Sequence, residues 1–308
     1  MIAANEIQSS VVAAMQRSGI QIAEPDRLRL DGVLCRFSTG DLDRRRGRRN
    51  GWAVVFVDGT RPVATFGDWS KGVAETVLIG GDSPLTPSER ERQRIAVEQA
   101  KASRAAEVRK RQTDAAREAN RQWDAAHQAS DHHPYLERKS IDAKGLRERS
   151  GALLVPLRDS KGKIHNVQRI RADGDKRFLR GGRVSGLYAS IGAITNHVLI
   201  CEGWATGKTL HAHTGLPVAV AFSAGNLLAV AQTLRSKYPS VRITVCADND
   251  AKPDGTNPGI QAATAAASSV SGFLAIPPRT GDFNDLYAAR SGNFEIFEAS
   301  NSDRPPTQ

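Results

Sequence analysis

The chain has 308 residues, 43 Lys and Arg against 33 Asp and Glu, a net charge of +10 and a pI near 9.8. That length and a 40% hydrophobic content allow two ordinary domains, or one domain with extensions, and the positive balance favours an acidic partner, nucleic acid ahead of membrane. Cys35, Cys201 and Cys246 are far apart with no C-x-x-C pairing, which argues against a disulfide framework or a zinc ribbon. No apolar run has the form of a signal peptide or of the roughly 20-residue membrane span, so a cytoplasmic protein is expected.

Residues 1–20, MIAANEIQSSVVAAMQRSGI, have helical spacing and predict a short amphipathic helix. VLCRFSTGD, NGWAVVFVDGTRPVATFGDW and VLIGGD break β-prone runs with Gly-Asp, Asp-Gly and Asn-Gly turn signals, which predicts a small antiparallel sheet over about residues 28–80. Between its strands stand Arg44, Arg45, Arg46, Arg48 and Arg49. Such a cluster is most often a solvated loop and is also how a phosphate-tracking loop looks. The stretch from Thr86 to Gln128 has no Gly and no Pro after Pro87, is rich in Ala, Arg, Glu and Gln, and offers Ser88 with Glu91 as a capping box: one long helix. Its apolar face is alanine with Ile95, Val97, Val108 and Trp123, too thin for a coiled-coil seam, so a semi-rigid connector outweighs a dimerisation rod.

Pro134 stops that pattern. His132 and His133 lack a matched ligand set, so no metal role is expected of them. Residues 151–192 alternate apolar runs with DSKGK and ADGD turns and carry nine Lys or Arg against three Asp, which makes a basic β platform. From Val198 the rhythm becomes strand and helix by turns: HVLIC, WATGKTLHAHTG, PVAVAF, GNLLAVAQTLRSKY, RITVCAD, GIQAATAAASS and GFLAIP. Four such strands specify a parallel sheet with right-handed crossovers. SNSDRPPTQ reads as a disordered tail. The expected organisation is a small β-rich domain over 1–84, a helical connector over 85–131, the platform over 132–196, the parallel β/α domain over 197–292 and a C-terminal segment over 293–308. The fold class is α/β, or α+β overall.

Function collects beyond the carboxyl ends of parallel strands. Glu202 follows VLIC there, and Asp248 and Asp250 follow RITVCA. Like charges so placed cannot all ionise unless a cation neutralises them, and hard oxygen donors without histidine select Mg²⁺, with Mn²⁺ as a substitute. Asp282 and Asp285 in GDFNDLY follow the fourth strand and would hold a second ion or position the first. Strand-end acids facing a basic platform suit phosphoryl or nucleotidyl transfer. GWATGKT imitates a P-loop, but the first glycine of that motif is replaced by Glu202, so Lys208 is read as an exposed helix residue or a phosphate contact.

VLICEGWATGKTL, VCADND and GDFNDL resemble the Toprim domain shared by bacterial primases, topoisomerases and related nucleases. LLVPLRDSKGKIHNVQRI followed by DKRFLRGGRVSGLY resembles the order of the bacterial-type primase core. HPYLERKSI and GWAVVFVDGTRPVATFGDW look like the TraC-type primases of conjugative plasmids, phages and integrative elements. The resemblance covers about residues 132–290 well and the amino-terminal sheet loosely. It implies primer synthesis from ribonucleoside triphosphates on single-stranded DNA, with a replicative helicase as an optional partner. Glu202, Asp248 and Asp250 would be catalytic and hold Mg²⁺, and Asp282 and Asp285 would complete the cluster. Lys176 and Arg177 would lie near the incoming nucleotide, and Arg169, Arg171, Arg180 and Arg183 would follow the template or primer backbone. Two departures stand out. The chain has no cysteine and histidine set for the zinc module that bacterial primases place before the core, so no zinc is expected and template recognition differs. Thr206 stands where such primases commonly show an acid, which puts a second metal site in question. A Toprim nuclease and a non-catalytic single-stranded DNA-binding accessory are the competing readings.

Overall fold

The computed structural model describes residues 3–45, 47, 49–57, 61–80, 86–252, 255–290 and 298–299. The chain forms two compact units, residues 1–108 and 109–308.

The first unit begins with α1 (Ala4–Arg17) and a 3-10 turn (Pro25–Arg27). It continues through β1 (Cys35–Phe37), α2 (Asp41–Arg45), β2 (Gly51–Phe56), β3 (Val63–Asp68) and β4 (Val73–Leu78) to the start of α3 (Pro87–Asp124). The four strands form an antiparallel sheet in chain order. Ile7, Val11, Ala14 and Met15 recur at helical spacing and bury one stripe of α1 against Phe37, Ala53, Val55 and Phe66. The arginine cluster is partly helical: Arg44 and Arg45 end α2, both exposed, as is Arg49, while Arg46 and Arg48 lie outside the described residues. The expected capping box does not form. Proline with its fixed φ takes the first helical position of α3, the Arg90 N–H bonds the Thr86 carbonyl at 2.9 Å, and Ser88 is already inside the first turn. Glu91 is drawn instead into an ion pair with Arg94 at 2.7 Å. Ile95 and Val108 are 43% and 39% exposed, in keeping with an apolar face too thin to form a seam.

In the second unit the end of α3 is part of the core: Ala119 is fully buried against Ile164 and Val167, with Trp123 beside them. β5 (His127–Gln128), β6 (Arg147–Arg149), β7 (Ala152–Arg158), β8 (Ile164–Arg171) and β9 (Lys176–Phe178) form an antiparallel sheet in chain order, with the short α4 (Pro134–Lys139) between β5 and β6. This is the platform.

β10 (Ala189–Ile191) leaves the platform, against expectation. It pairs antiparallel with β12, at the edge of a six-stranded sheet of order β10-β12-β11-β13-β14-β15. The elements of that sheet are β11 (His197–Cys201), α5 (Trp204–Thr214), β12 (Val218–Val220), α6 (Ala224–Lys237), β13 (Arg242–Cys246), α7 (Pro258–Ser269), β14 (Phe273–Ala275), α8 (Phe283–Arg290) and β15 (Glu298–Ala299). β11 to β14, the four strands read from the sequence, are parallel to one another. β15 adds an antiparallel edge in the segment expected to lead into a tail; residues 300–308 lie outside the described residues.

Side chains alternate across the sheet. Val198, Ile200, Ile243 and Val245 pack under α6 and α7. Leu199, Cys201, Cys246 and Ala275 face α5 and α8, and on that side the core continues into Leu153, Val155 and Ile170 of the platform. Platform and parallel sheet therefore share one core. Gly207 lets α5 settle close to the sheet: a Cβ there would lie 2.8 Å from Val220 and 3.2 Å from the Cys201 sulfur. The glycine that imitates a P-loop has a packing reason.

Candidate active site

β11 and β13 are neighbours, with Ile200 opposite Val245, so their extensions deliver Glu202 and Asp248 from adjacent strand tips. Glu202 is half-buried. Its carboxylate accepts a hydrogen bond from the Ala224 N–H at the start of α6. Burial still holds its pKa above the ordinary value, and the charges of Asp250 and Asp282 add to the shift. Asp248 is more strongly affected. Burial, with the negative charges of Glu202, Asp282 and Asp250, pushes its pKa up to about 7, and Lys176 opposes the rise only in part. Its Oδ1 is buried without a hydrogen-bond partner. Asp250 is exposed.

The two acids after β14 are committed to local structure. Asp282 caps α8: its Oδ1 accepts from the N–H groups of Asn284 (2.7 Å) and Asp285 (2.9 Å), and its Oδ2 accepts from Thr206 Oγ1 (3.0 Å). Thr206 is thus a buried donor that aims Asp282. Asp285 pairs with Lys139 at 3.1 Å and is 54% exposed. Among the described residues, no three His, Cys, Asp or Glu side chains stand close enough to enclose a metal. Mg²⁺ does not need such a cage, because it usually keeps several waters and is held by one or two carboxylates with substrate phosphates. The partnerless Oδ1 of Asp248, the near-neutral pKa of that residue and an all-oxygen donor set from Glu202, Asp248 and Asp250 fit that ion.

The basic residues fall on two faces. Directly paired residues of an antiparallel sheet share a face. Lys176 stands opposite Ile170, which stands opposite Leu153, so Lys176 is on the side of the shared core and the acids. Its ammonium lies 5.6 Å from the Tyr135 ring centroid. It keeps solvent access, yet surrounding protein atoms and Lys139 hold its pKa below the ordinary value, while Asp282 and Asp248 pull it back up. Arg169 and Arg177 pair with each other and with Leu154 on the opposite face, and Arg171, opposite Ala152, joins them there. Arg177 also holds Asp175 at 2.8 Å. Arg180 is exposed and Arg183 half-buried in the loop after β9.

Lys208 is not exposed. It is 5% accessible on α5, with its ammonium 2.6 Å from the Asp142 carboxylate. Gly207 seats this helix turn against the sheet, and the lysine is covered with it. The pair is asymmetric, since Asp142 is 57% exposed. Asp142→Ala should cost about 3 kcal/mol by stranding a buried ammonium, whereas Lys208→Met should cost under about 1 kcal/mol because Asp142 simply returns to water. Urea unfolding midpoints of the two variants check this.

Sequence reasoning passed over Asn249, the residue between the two aspartates. Its amide donates to the carbonyls of Pro277 (3.1 Å) and Arg279 (3.2 Å), its Oδ1 accepts from Asn257 (2.9 Å), and its backbone pairs with Gly281. It ties the tip of β13 to the loop after β14 and so fixes where Asp248 and Asp250 stand. An Asn flanked by two acids gives no signal of this at the sequence level.

Residues 197–293 match the Toprim domain family. Over 260 residues the chain is 29% identical to a DNA primase TraC of Escherichia coli, in an alignment covering 80% of this chain and 24% of the relative. A second DNA primase TraC of Escherichia coli is 34% identical over 155 residues, 47% of this chain and 11% of the relative. The chain thus spans about a quarter or less of the length of the curated relatives it matches. Among solved structures, a DnaG primase catalytic domain bound to ssDNA aligns with 60% of this chain and 76% of its own, at 13% identity and a TM-score of 0.42.

Proposed function

We propose that this chain, which carries a Toprim domain and is related to the DNA primase TraC proteins, is the catalytic part of a DNA-directed primase that joins ribonucleotides on a single-stranded DNA template. The observation that carries the reading is Asp248: a carboxylate at the carboxyl edge of the parallel sheet, with one buried oxygen lacking a partner and a pKa pushed up to about 7 by burial and by the acids beside it. A bound Mg²⁺ would supply charge stabilisation at the attacking and leaving oxygens. Glu202, Asp248 and Asp250 would hold it. Glu202, whose pKa is raised by burial and by the charges of Asp250 and Asp282, would take the proton from the attacking 3′-hydroxyl. Lys176 faces the same acids from the platform and would hold a triphosphate oxygen of the incoming nucleotide. Asp282 and Asp285 would act by position, through the α8 cap and the Lys139 pair.

The test is to incubate the purified chain with a single-stranded template, labelled ribonucleoside triphosphates and Mg²⁺. Labelled oligomers that depend on template and metal support the reading. A shortened template without labelled oligomers assigns the same acids to a nuclease, and neither product leaves only the accessory DNA-binding reading.

A further inference from the structure

The face of the five-stranded sheet turned away from the acids has its own architecture. Leu153, Val155 and Ile170 point into the core shared with the parallel sheet. The residues between them point outward, and the register lines them up across strands. Arg149, Ala152 and Arg171 form one row, and Arg147, Leu154, Arg169 and Arg177 form a second. A register shift at the far end of β7 and β8 puts an extra residue, His165, into β8. It turns Ile164 outward, and Ile164 and Val167 then receive Ala119 of α3. Along the flank of the helix so docked runs an open groove of about 710 Å³, with Arg109 and Arg117 on the helix wall and Lys163, His165 and Arg183 on the other.

We propose that this groove is a second nucleic-acid site, which holds the sugar-phosphate backbone of single-stranded DNA on the face of the platform opposite the acids. The inference rests on the primase reading only for its biological purpose, since binding there needs neither metal nor nucleotide. Four cationic side chains and a histidine line the groove, and none of its described lining residues is a carboxylate. Two acids outside the lining pair with its residues, Asp114 at 3.8 Å from Arg117 and Asp159 at 2.8 Å from His165. Arg183 Nε is buried and has no hydrogen-bond partner, so one donor on this wall lacks an acceptor. Arg109 and Arg117 are eight residues apart on one helix, about 12 Å along its axis, which suits a run of phosphates better than one mononucleotide. Base stacking is not on offer. The adjacent aromatic, Trp123, already carries Arg147 at 4.7 Å and Arg158 at 5.6 Å from its ring. The groove would therefore track backbone without reading sequence. A groove of about 710 Å³ flanked by a helix and a strand suits one extended strand better than a duplex.

The test is fluorescence anisotropy of a labelled oligo(dT), without Mg²⁺ or nucleotides, between about 50 and 200 mM salt. The triple variant Arg109→Ala, Arg117→Ala, Lys163→Ala should bind about tenfold or more weakly, with a salt slope shallower by about 2, since each lost single-strand phosphate contact removes about 0.7. Unchanged affinity and slope in a variant that melts like wild type overturns the proposal. So does tighter binding of a duplex of the same length that the substitutions abolish. Should the variant fail to fold, lysine acetylation of the wild type decides: single-stranded DNA should protect Lys163, and full reactivity in its presence overturns the site. A wild type that makes no oligomers while the variant loses binding sinks the primase reading and leaves the groove. A wild type that primes while the variant binds normally sinks the groove alone.

Discussion

Asp248→Asn lowers Mg²⁺-dependent ribonucleotide incorporation by about a thousandfold and leaves single-stranded DNA affinity intact. The magnitude follows from the several kcal/mol that a correctly held metal contributes to transition-state charge stabilisation, at about 1.4 kcal/mol per tenfold in rate. Binding survives because the substitution removes a negative charge from a protein of net charge +10 and touches none of the cationic surfaces. The same variant has a second, opposite effect that does not depend on turnover. Asp248 has a folded-state pKa of about 7 against an ordinary 3.8, so the folded chain binds its proton more tightly than the unfolded chain does. The stability contributed by the protonated form is fully present below about pH 4 and is lost as pH rises toward 7. The rise from 3.8 to about 7 corresponds to about a few kcal/mol of strain in the metal-free protein above pH 7. Metal-free Asp248→Asn should therefore melt several degrees above wild type at pH 8, at about 2–4 °C per kcal/mol for a unit of this size, and the two should converge as pH falls toward 4. Mg²⁺ should raise the melting temperature of wild type at pH 8 and not that of the variant. Thermal melts at three pH values, with and without Mg²⁺, check each part.

The acids were legible because two local rules coincide: buried apolar runs without polar alternation read as parallel strands, and the residue that follows such a run stands at the functional edge. That placed Glu202 and Asp248 without any structure. What escaped was set by pairings distant in sequence. Ala189–Ile191 looks like one more platform strand until Val218–Val220 offers it an edge. The separation of Lys176, on the side of the acids, from the platform arginines on the other face depends on strand register, and a one-residue slip would reverse it. Lys208 looks like any helix-surface lysine, because nothing near it reveals that Asp142, 66 residues earlier, comes to meet it. Asp282 reads from the sequence as one more acid of the cluster, and nothing there shows that Thr206 and the α8 N–H groups bond its oxygens.

Gly259→Ala is expected to damage both fold and site, although alanine is the better helix former. Gly259 is the second residue of α7, and a Cβ built there lies 2.4 Å from the Asp248 carbonyl oxygen and 3.6 Å from the Asp248 Cβ. Neither side can yield cheaply. The start of α7 is fixed by Pro258 and by the Asn257 side chain, which accepts from the Ile260 N–H (3.1 Å) and donates to Asn249 (2.9 Å). The Asp248 backbone continues β13, and Asn249 anchors it to the loop after β14. Helix propensity favours alanine by about 1 kcal/mol at most, while overpacking against backbone costs about 1–3 kcal/mol; with a Cβ 2.4 Å from a carbonyl oxygen the cost lies toward the upper end, and the clash wins by up to about 2 kcal/mol. Relief comes from pushing the β13 tip outward, which moves both aspartates. Incorporation should then fall about tenfold or more, beyond what lost stability alone gives at a temperature where the variant stays folded. Gly225→Ala supplies the control, since a Cβ at that α6 position meets nothing within 4 Å and should leave stability equal or slightly higher. Equal urea midpoints for the two variants, together with wild-type incorporation by Gly259→Ala, would mean that α7 does not press on the strand carrying Asp248.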